Sequence, residues 1–413
     1  MTRCLKLLRK KLRKEVINLI SYFDCAATTK PTEQVIKDIE TGMRDYWFNP
    51  SSTSEESRKV KLQIEHARKQ VADFINCKPE EIIFTSGATE SNNLAIKGTY
   101  DNLDFFGLFC SKIEHPSVYN TVKNINIDFG YGDNNLPVTT GGQIELDELN
   151  KKLYDNKLLG SSKLHPLVCI SYVNNEIGST QNIYEISKLV HQYNGYLLVD
   201  ATQAIEYRDI DVQSMGIDML SASFHKFGGV RGCGFLYVKN GIKLQPLLTG
   251  GHQENNLRAG TEPSYLITAM GNRLEEIKKT KSLRLKIIGD ISWSIKFKLG
   301  LINGNKVIEG IKQNGENCSP HIISLTIPNI PAQELITLMD LDGVIVSAGS
   351  ACSSGENVPS RVLKAIGLTD DEARSTIRIS FDEFTTEKDV ENLINSLTKN
   401  VQILKELHID DEK

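Results

Sequence analysis

The alternation of short apolar segments with helix-length segments is the feature that most limits how this 413-residue chain can fold. Apolar runs separated in this way are typical of a mostly parallel β-sheet that helices cover on both faces. The runs lie at residues 82–84, 108–110, 168–171, 197–199, 219–221 and 234–238. The pattern predicts an α/β fold over residues 35–275, with a ligand site where the strands end.

Residues 276–413 follow a different pattern, which predicts a smaller α+β domain. A long charged helix at about 268–300 leads into this region, and strand-like and helical segments follow it at 322–326, 332–340, 344–347, 376–380 and 386–407. We therefore expect three parts: a basic extension at 1–21, a large domain at 22–275 and a small domain at 276–413. The segment 22–35 is a candidate to pack on the small domain.

The composition argues against two classes of function. A net charge of −4 gives no sign of nucleic-acid binding, and no apolar run approaches the roughly 20 residues that cross a bilayer. Eight cysteines occur without CxxC pairs, which argues against a structural zinc site or disulfides and favours a reducing compartment. We expect a cytoplasmic protein with neither nucleic acid nor membrane as a partner.

The N-terminal extension leaves a second compartment open. Seven Lys and Arg residues precede the first acidic residue, Glu15, and apolar residues recur at helical spacing, at Leu5, Leu8, Leu12 and Val16. The extension is interpreted either as a solvated helix or as a presequence for a mitochondrion or related organelle. Its many lysines and the lack of serine before Ser21 fit a transit peptide poorly.

A lysine and an aspartate follow two successive apolar runs. Asp200 ends the run at 196–199, and Lys226 follows the run at 219–221. Enzymes that use pyridoxal phosphate (PLP) need such a pair: the lysine forms a Schiff base with the cofactor aldehyde, and the aspartate keeps the pyridine nitrogen protonated. The pair alone is moderate evidence, because any α/β protein carries a lysine after some strand.

Small and hydroxyl residues follow the first apolar run, in the segment 85–93 (TSGATESNN). They lead into the helical residues Leu94-Ala95-Ile96, and backbone N–H groups at such a position can bind a phosphate. An ordinary helix cap by Ser86 or Thr89 is the simpler interpretation of this segment alone. Neither a Walker lysine nor a G-x-G-x-x-G segment is present, so the sequence does not favour nucleotide binding.

Three further polar residues lie in or after predicted strands. His115 could stack on a planar cofactor and move protons, although a surface or core histidine is commoner. Asn175 could hydrogen-bond a phenolic oxygen or belong to an ordinary polar turn. Arg378 interrupts an apolar strand and needs a carboxylate partner, either a protein acid or a substrate, and its position favours neither.

Cys352 lies among small residues, in the segment 349–355 (GSACSSG). Buried cysteines normally have apolar neighbours, so these surroundings favour an exposed and reactive thiol. An inert loop cysteine is the alternative.

Taken together, these segments resemble the group I cysteine desulfurases, of the bacterial and mitochondrial type, within the class V aminotransferase branch of the fold-type I PLP enzymes. The resemblance runs from about residue 22 to residue 400. The matching segments are 24–29 (DCAATT), 84–92 (FTSGATESN), 114–115 (EH), 174–178 (NNEIG), 200–203 (DATQ), 223–226 (SFHK), 250–254 (GGHQE), 258–261 (RAGT), 349–352 (GSAC) and 377–380 (IRIS).

The resemblance implies a role for each matching residue. Lys226 binds PLP covalently, Asp200 pairs with the pyridine nitrogen, and His115 stacks on the ring as an acid and base. The other implied cofactor-binding residues are Ala88, Thr89, Asn175, Gln203, Ser223, His225 and, from the neighbouring subunit of a homodimer, Thr261. Asn175 and Arg378 hold the substrate L-cysteine. Cys352 takes its sulfur as a persulfide, leaving L-alanine, for delivery to a sulfur-acceptor protein such as an iron–sulfur scaffold or a thiolation enzyme. No metal is implied.

Two departures from the family pattern affect what is expected of this chain. Ser54 and Ser57 replace the histidine and glycine that usually follow the Asn-Pro-Ser-Ser segment, which affects entry to the site or subunit packing. The tail at 406–413 (ELHIDDEK) lacks the tryptophan-containing extension that contacts the iron–sulfur scaffold in housekeeping members. Two other functions remain open: a selenocysteine lyase or related PLP lyase, and a silent scaffold. Cys352→Ala distinguishes a desulfurase from a lyase, because only a desulfurase needs this cysteine to form a persulfide. An absorbance band from bound PLP distinguishes an enzyme from a silent scaffold.

Overall fold

The computed structural model describes residues 20–100, 105–128, 134–159, 165–349 and 358–411. The chain divides into two compact units. The large unit comprises Thr28–Leu283 and Gly315–Ser319, and the small unit comprises the described parts of Met1–Ala27, Arg284–Asn314 and Pro320–Lys413. The domain boundaries at residues 21 and 275 remain predictions. Residues 1–19 of the predicted extension and Cys352 lie outside the described residues.

The strands and helices of the described residues alternate along most of the chain. In order they are β1 (Ser21–Tyr22), α1 (Glu33–Asp45), α2 (Glu55–Ile75), β2 (Ile82–Thr85), α3 (Ala88–Tyr100), β3 (Phe105–Ser111), α4 (Pro116–Asp128), β4 (Asn135–Leu136), α5 (Leu146–Leu159), β5 (His165–Ser171), α6 (Ile183–Gln192), β6 (Tyr196–Asp200), β7 (Met219–Ser223), β8 (Gly234–Val238), α7 (Ser264–Lys298), β9 (Lys312–Asn314), β10 (Ile322–Thr326), α8 (Ala332–Leu341), β11 (Val344–Ile345), α9 (Arg361–Ala365), α10 (Asp370–Arg374), β12 (Thr376–Ser380) and α11 (Glu387–Asp411).

The large unit is built on a mostly parallel sheet, as predicted. Among the described residues its strands lie in the order β2-β8-β7-β6-β5-β3-β4, and only β8 runs antiparallel to its neighbours. The run Leu197–Leu198–Val199 in the centre of β6 has no exposed surface. An apolar strand of this kind is typical of a sheet that helices cover on both faces. Because β3, β5, β6 and β7 run parallel, their carboxyl ends lie at the same edge of the sheet.

The small unit contains two small sheets in its described residues. β12, β10 and β9 form an antiparallel sheet, whereas β1 and β11 pair in parallel. β11 ends at Ile345, earlier than the predicted strand at 344–347, because Ser347 exchanges backbone hydrogen bonds with Arg378 instead. In this unit the N-terminal residues 21–22 thus pair with a strand more than three hundred residues later.

The two serines that depart from the expected pattern lie at the start of α2, one as its N-cap and one in its first turn. The Ser54 side chain accepts a hydrogen bond from the Ser57 backbone N–H at 3.2 Å, and the two hydroxyl groups are 2.8 Å apart. Serine is a favourable N-cap residue, so Ser54 starts α2 at the position where the resemblance led us to expect a histidine.

Among the described helices, none is long and apolar enough to cross a membrane.

Candidate active site

Asp200 is the last residue of β6 and is 5% exposed. Its carboxylate accepts a hydrogen bond from Asn92 Nδ2 at 2.9 Å and another from the Thr202 backbone N–H at 3.0 Å. Both donors are uncharged groups. The carboxylate is therefore oriented by dipoles, which do not cancel its charge.

Lys226 lies beside the same edge of the sheet. It ends the short 3₁₀ turn Phe224–Lys226, which directly follows β7, and it is half-buried. β7 is the neighbour of β6, and Asp200 pairs with Ser221 in the ladder. The turn is anchored because the Thr29 side chain accepts the Gly228 N–H at 2.8 Å. The lysine and the aspartate thus follow adjacent parallel strands.

His115 comes four residues after the end of β3 at Ser111 and directly precedes α4. The ring atom Nδ1 lies 3.2 Å from the Ser117 backbone nitrogen and 2.9 Å from the Ser117 hydroxyl. A backbone N–H only donates, so Nδ1 accepts and the proton of the neutral ring is on Nε2.

Glu114, for which the sequence suggested no role, holds the segment before His115 in place. Its buried carboxyl group accepts hydrogen bonds from the Ser111 hydroxyl at 2.5 Å and from the Ser171 N–H and hydroxyl at 2.6 and 2.5 Å. Burial raises the pKa of Glu114 to about 7, the hydrogen bonds from Ser111 and Ser171 act against this rise, and the charge of Asp200 adds to it. Ser171 ends β5, so Glu114 ties the β3 and β5 ends together.

The first turn of α3 forms a candidate anion site. The helix begins at Ala88, earlier than the Leu94 start predicted from the sequence, so Ala88 and Thr89 lie in its first turn. Gly87 has a φ of +149°, and a methyl group there would come within 3.1 Å of Ser223 Oγ. The turn therefore packs closely against the end of β7. Free N–H groups of a first helical turn favour a phosphate.

The charge of an acidic residue in this turn is balanced. Glu90 accepts the Ser86 backbone N–H at 2.8 Å and forms an ion pair with Arg258 Nε at 3.0 Å. Partial burial acts to raise the pKa of Glu90, but the bonds from Arg258 and Ser86 outweigh it and lower the pKa. The carboxylate is thus ionised, and Arg258 balances its negative charge. The helix N-terminus therefore stays suitable for an anion. Thr261, three residues after Arg258, is exposed.

His225, in the turn before Lys226, is neutral at physiological pH. Its ring atom Nδ1 is 3.1 Å from the Thr28 hydroxyl. Burial lowers the pKa of His225 to about 4, and the positive charges of Lys226 and Arg231 contribute to the shift. His225 would therefore contact a phosphate as a hydrogen-bond donor, without adding charge.

Asn175 and Gln203 lie in the turns that follow β5 and β6. Gln203 is buried and Asn175 is half-buried. The turn that carries Asn175 is shaped by Asn174, whose side-chain oxygen accepts the N–H groups of Glu176 at 2.8 Å and Ile177 at 2.9 Å. The large unit thus brings its predicted site residues to one end of the sheet, apart from the exposed Thr261.

Arg378 belongs to the small unit, in the buried strand β12. Its Nη2 atom lies 2.6 Å from Asp24 Oδ1, so a protein acid supplies the carboxylate that its burial requires. Asp24 belongs to the small unit as well.

Within the described residues, no group of three or more His, Cys, Asp or Glu side chains could hold a metal ion.

Comparison with known proteins identifies the family. Residues 21–393 match the family described as aminotransferase class-V. A cysteine desulfurase IscS from Dictyoglomus turgidum is 35% identical over 396 residues, which cover 93% of this chain and 95% of the relative. The solved structure of a NifS-like protein from Rickettsia africae superposes with a TM-score of 0.82 at 30% identity and covers 93% of this chain and 99% of that one. A structure of SspA in complex with cysteine reaches a TM-score of 0.73 at 33% identity, over 88% and 99% of the two chains. The chain therefore belongs to the aminotransferase class-V family and, within it, to the cysteine desulfurases, which use pyridoxal phosphate.

Proposed function

We propose that this protein converts L-cysteine to L-alanine and takes the sulfur as a persulfide on Cys352. The observation that carries the proposal is the placement of Lys226, Asp200 and His115 at the ends of the parallel strands of one sheet. The cysteine desulfurases among the relatives and the cysteine bound to SspA support the choice of substrate.

The residues at the sheet edge fit pyridoxal phosphate. Lys226 supplies an amine for its aldehyde, and Asp200 supplies a buried carboxylate for its ring nitrogen. The groups suited to its phosphate are Ala88, Thr89, Ser223, His225 and, from the second subunit of a homodimer, Thr261, while Gln203 and Asn175 suit its phenolic oxygen. When bound, this cofactor draws electrons away from the Cα atom of an amino acid.

Side chains of this chain supply the proton and sulfur transfers. His115 carries its proton on Nε2 and gives it up or takes it back there, while Arg378 binds the substrate carboxylate as a fork and Asn175 assists. The Cys352 thiolate attacks the substrate sulfur, an S–S bond forms and the Cβ–S bond breaks. Cβ gains one proton, so one cysteine and one thiol yield one alanine and one persulfide.

The wider role of the protein follows from that chemistry. We propose that the persulfide sulfur passes to an acceptor protein for iron–sulfur cluster or other thio-cofactor assembly, and that the enzyme is a homodimer. The cytoplasm is the proposed compartment, with a mitochondrion or related organelle as the alternative if residues 1–21 are a presequence.

The test is a spectrum of the purified protein with and without L-cysteine, with alanine and persulfide measured in the same sample. We expect an absorbance band from bound cofactor that changes when cysteine is added, and alanine release that stops in Cys352→Ala. The matched control is Cys318→Ala, because Cys318 is a half-buried thiol that donates to the Ile177 carbonyl. A protein that gains no band after PLP is supplied and releases no alanine would contradict the proposal. Alanine release that survives Cys352→Ala unchanged would indicate a lyase.

A further inference from the structure

A fully buried asparagine links the two site residues Asp200 and His115. Asn92 lies in α3 and has no exposed surface. Its Nδ2 atom is 2.9 Å from Asp200 Oδ2 and also 2.9 Å from Ser117 Oγ, and Ser117 Oγ is in turn 2.9 Å from His115 Nδ1. All four residues belong to the large unit.

The chemistry of the groups sets the direction of these hydrogen bonds. An ionised carboxylate only accepts, so the Asn92 amide nitrogen, and not its oxygen, faces Asp200. The second hydrogen of the same nitrogen is then donated to the Ser117 oxygen. That leaves the Ser117 hydroxyl hydrogen for His115 Nδ1, which also accepts the Ser117 backbone N–H at 3.2 Å.

We propose that Asn92 is a positioning residue that couples Asp200 to His115. Through one hydrogen it orients the Asp200 carboxylate, and through the other it directs the Ser117 hydroxyl to His115 Nδ1. Asn92 touches neither the substrate nor the reacting atoms. It acts through these two side chains.

This inference rests on the proposed function for its consequence, but its structural part can be tested independently. The ring nitrogens of His115 report the tautomer by ¹⁵N NMR on the full-length protein labelled at histidine, with the signals assigned by their loss in His115→Gln. We expect the wild-type ring to show the Nε2–H form. In Asn92→Leu, which keeps the volume but removes both donated hydrogens, the Ser117 hydroxyl is no longer directed to His115, and we expect the Nδ1 signal to shift while the Ser117 backbone N–H keeps the Nε2–H form.

The second measurement is cofactor retention by equilibrium dialysis against pyridoxal phosphate, together with the absorbance maximum of the bound cofactor. A hydrogen bond to a charged group is strong enough that its loss weakens retention by about tenfold. We expect this in Asn92→Leu, with a shifted absorbance maximum. The matched control is Asn126→Leu: Asn126 is a buried asparagine with one hydrogen bond, to the Leu108 carbonyl at 3.1 Å. It should lose stability without either change.

The outcomes separate the coupling from simple packing. If Asn92→Leu leaves the His115 signals unchanged, or loses no more cofactor than Asn126→Leu, the coupling is wrong. If Asn92→Leu does not fold, Ser117→Ala decides: the coupling requires a shifted His115 Nδ1 signal, and an unchanged signal overturns it. Should the wild-type protein bind no pyridoxal phosphate, the proposed function fails, while the ¹⁵N signals still decide whether the network exists.

Discussion

Asp200 in the large unit and Arg378 in the small unit are both charged side chains on buried strands, 5% and 1% exposed. Their charges are compensated differently. Asp200 receives hydrogen bonds from the uncharged donors Asn92 and Thr202, whereas Arg378 contacts the carboxylate of Asp24. The Asp200 carboxylate is thus oriented but not neutralised, whereas the Arg378 guanidinium is neutralised by the Asp24 carboxylate.

The difference shows what each site can accept. A carboxylate held by dipoles keeps its charge for a cation that arrives later, such as a protonated ring nitrogen. A guanidinium has five N–H donors, so one that pairs with a protein carboxylate can also bind the carboxylate of a substrate. The substrate's carboxylate would therefore share Arg378 with Asp24, while the cofactor's ring would have Asp200 to itself.

The largest effect is expected from Asp200→Asn, which removes the charge and keeps the shape. Loss of one preorganised electrostatic group in an active site lowers kcat by about 100- to 1,000-fold. Steady-state rates of alanine release measure this. Asp218→Asn is the control, because Asp218 is equally buried in the same unit but is paired with Lys239 at 3.2 Å. If Asp218→Asn lowered kcat as much as Asp200→Asn, loss of any buried carboxylate would reduce activity, and the special role of Asp200 would be wrong.

Arg378→Lys should act mainly on substrate binding. Lysine keeps the positive charge but loses the fork that holds a carboxylate through two parallel hydrogen bonds, so KM for L-cysteine should rise by about tenfold. Arg284→Lys is the control, since Arg284 is a buried arginine of the same unit that pairs with Glu383. An unchanged KM in Arg378→Lys would remove Arg378 from the substrate site.

Glu114→Gln tests whether uncharged donors suffice for a buried carboxylate. The pKa of Glu114 is about 7 in the folded protein against an ordinary value of 4.5. Between these values the folded state holds a proton that the unfolded state has released, so stability falls as pH rises through this window, by on the order of 3 kcal/mol. Glutamine does not titrate, so the variant should keep its stability across this pH range. Urea unfolding at pH 5 and pH 8 should show wild type losing more stability than Glu114→Gln, and equal losses would contradict the assignment.

The smallest effect is expected from Asp24→Asn, which keeps the shape and removes the negative charge beside Arg378. If the substrate carboxylate shares the guanidinium with Asp24, the two carboxylates repel each other. Removing the charge of Asp24 should then lower KM for L-cysteine several-fold with little change in kcat. A higher KM would show instead that Asp24 serves to orient Arg378.

The sequence predicted six of the seven described strands of the large unit's sheet, because their apolar runs are short and continuous, but it missed the two-residue strand β4. It also predicted that Arg378 needs a carboxylate, since a buried guanidinium without one is costly. It could not predict that the carboxylate is Asp24, because the two residues are 354 positions apart and no local pattern links them.

The hydrogen-bond network behind the site was equally hidden. Asn92 reaches Ser117 and Asp200 across 25 and 108 positions of the chain, and Ser117 is an ordinary residue of a helical first turn. Glu114 stood in a matching segment without a role, because its function is to tie two strand ends that only the folded sheet brings together. Patterns along the chain predict which residues end a strand, but packing decides what those residues touch.

The pairing of Asp24 with Arg378 also limits when the small unit can fold during synthesis. A ribosome releases residue 24 early and residue 378 near the end of synthesis, so the N-terminal segment has no ion-pair partner while most of the chain is translated. The large unit, whose sheet strands lie between Ile82 and Val238, has all of them before that point. Because a nascent chain generally folds its earlier domains first, the sheet of the large unit can form during translation, and the ion pair of the small unit forms only after it.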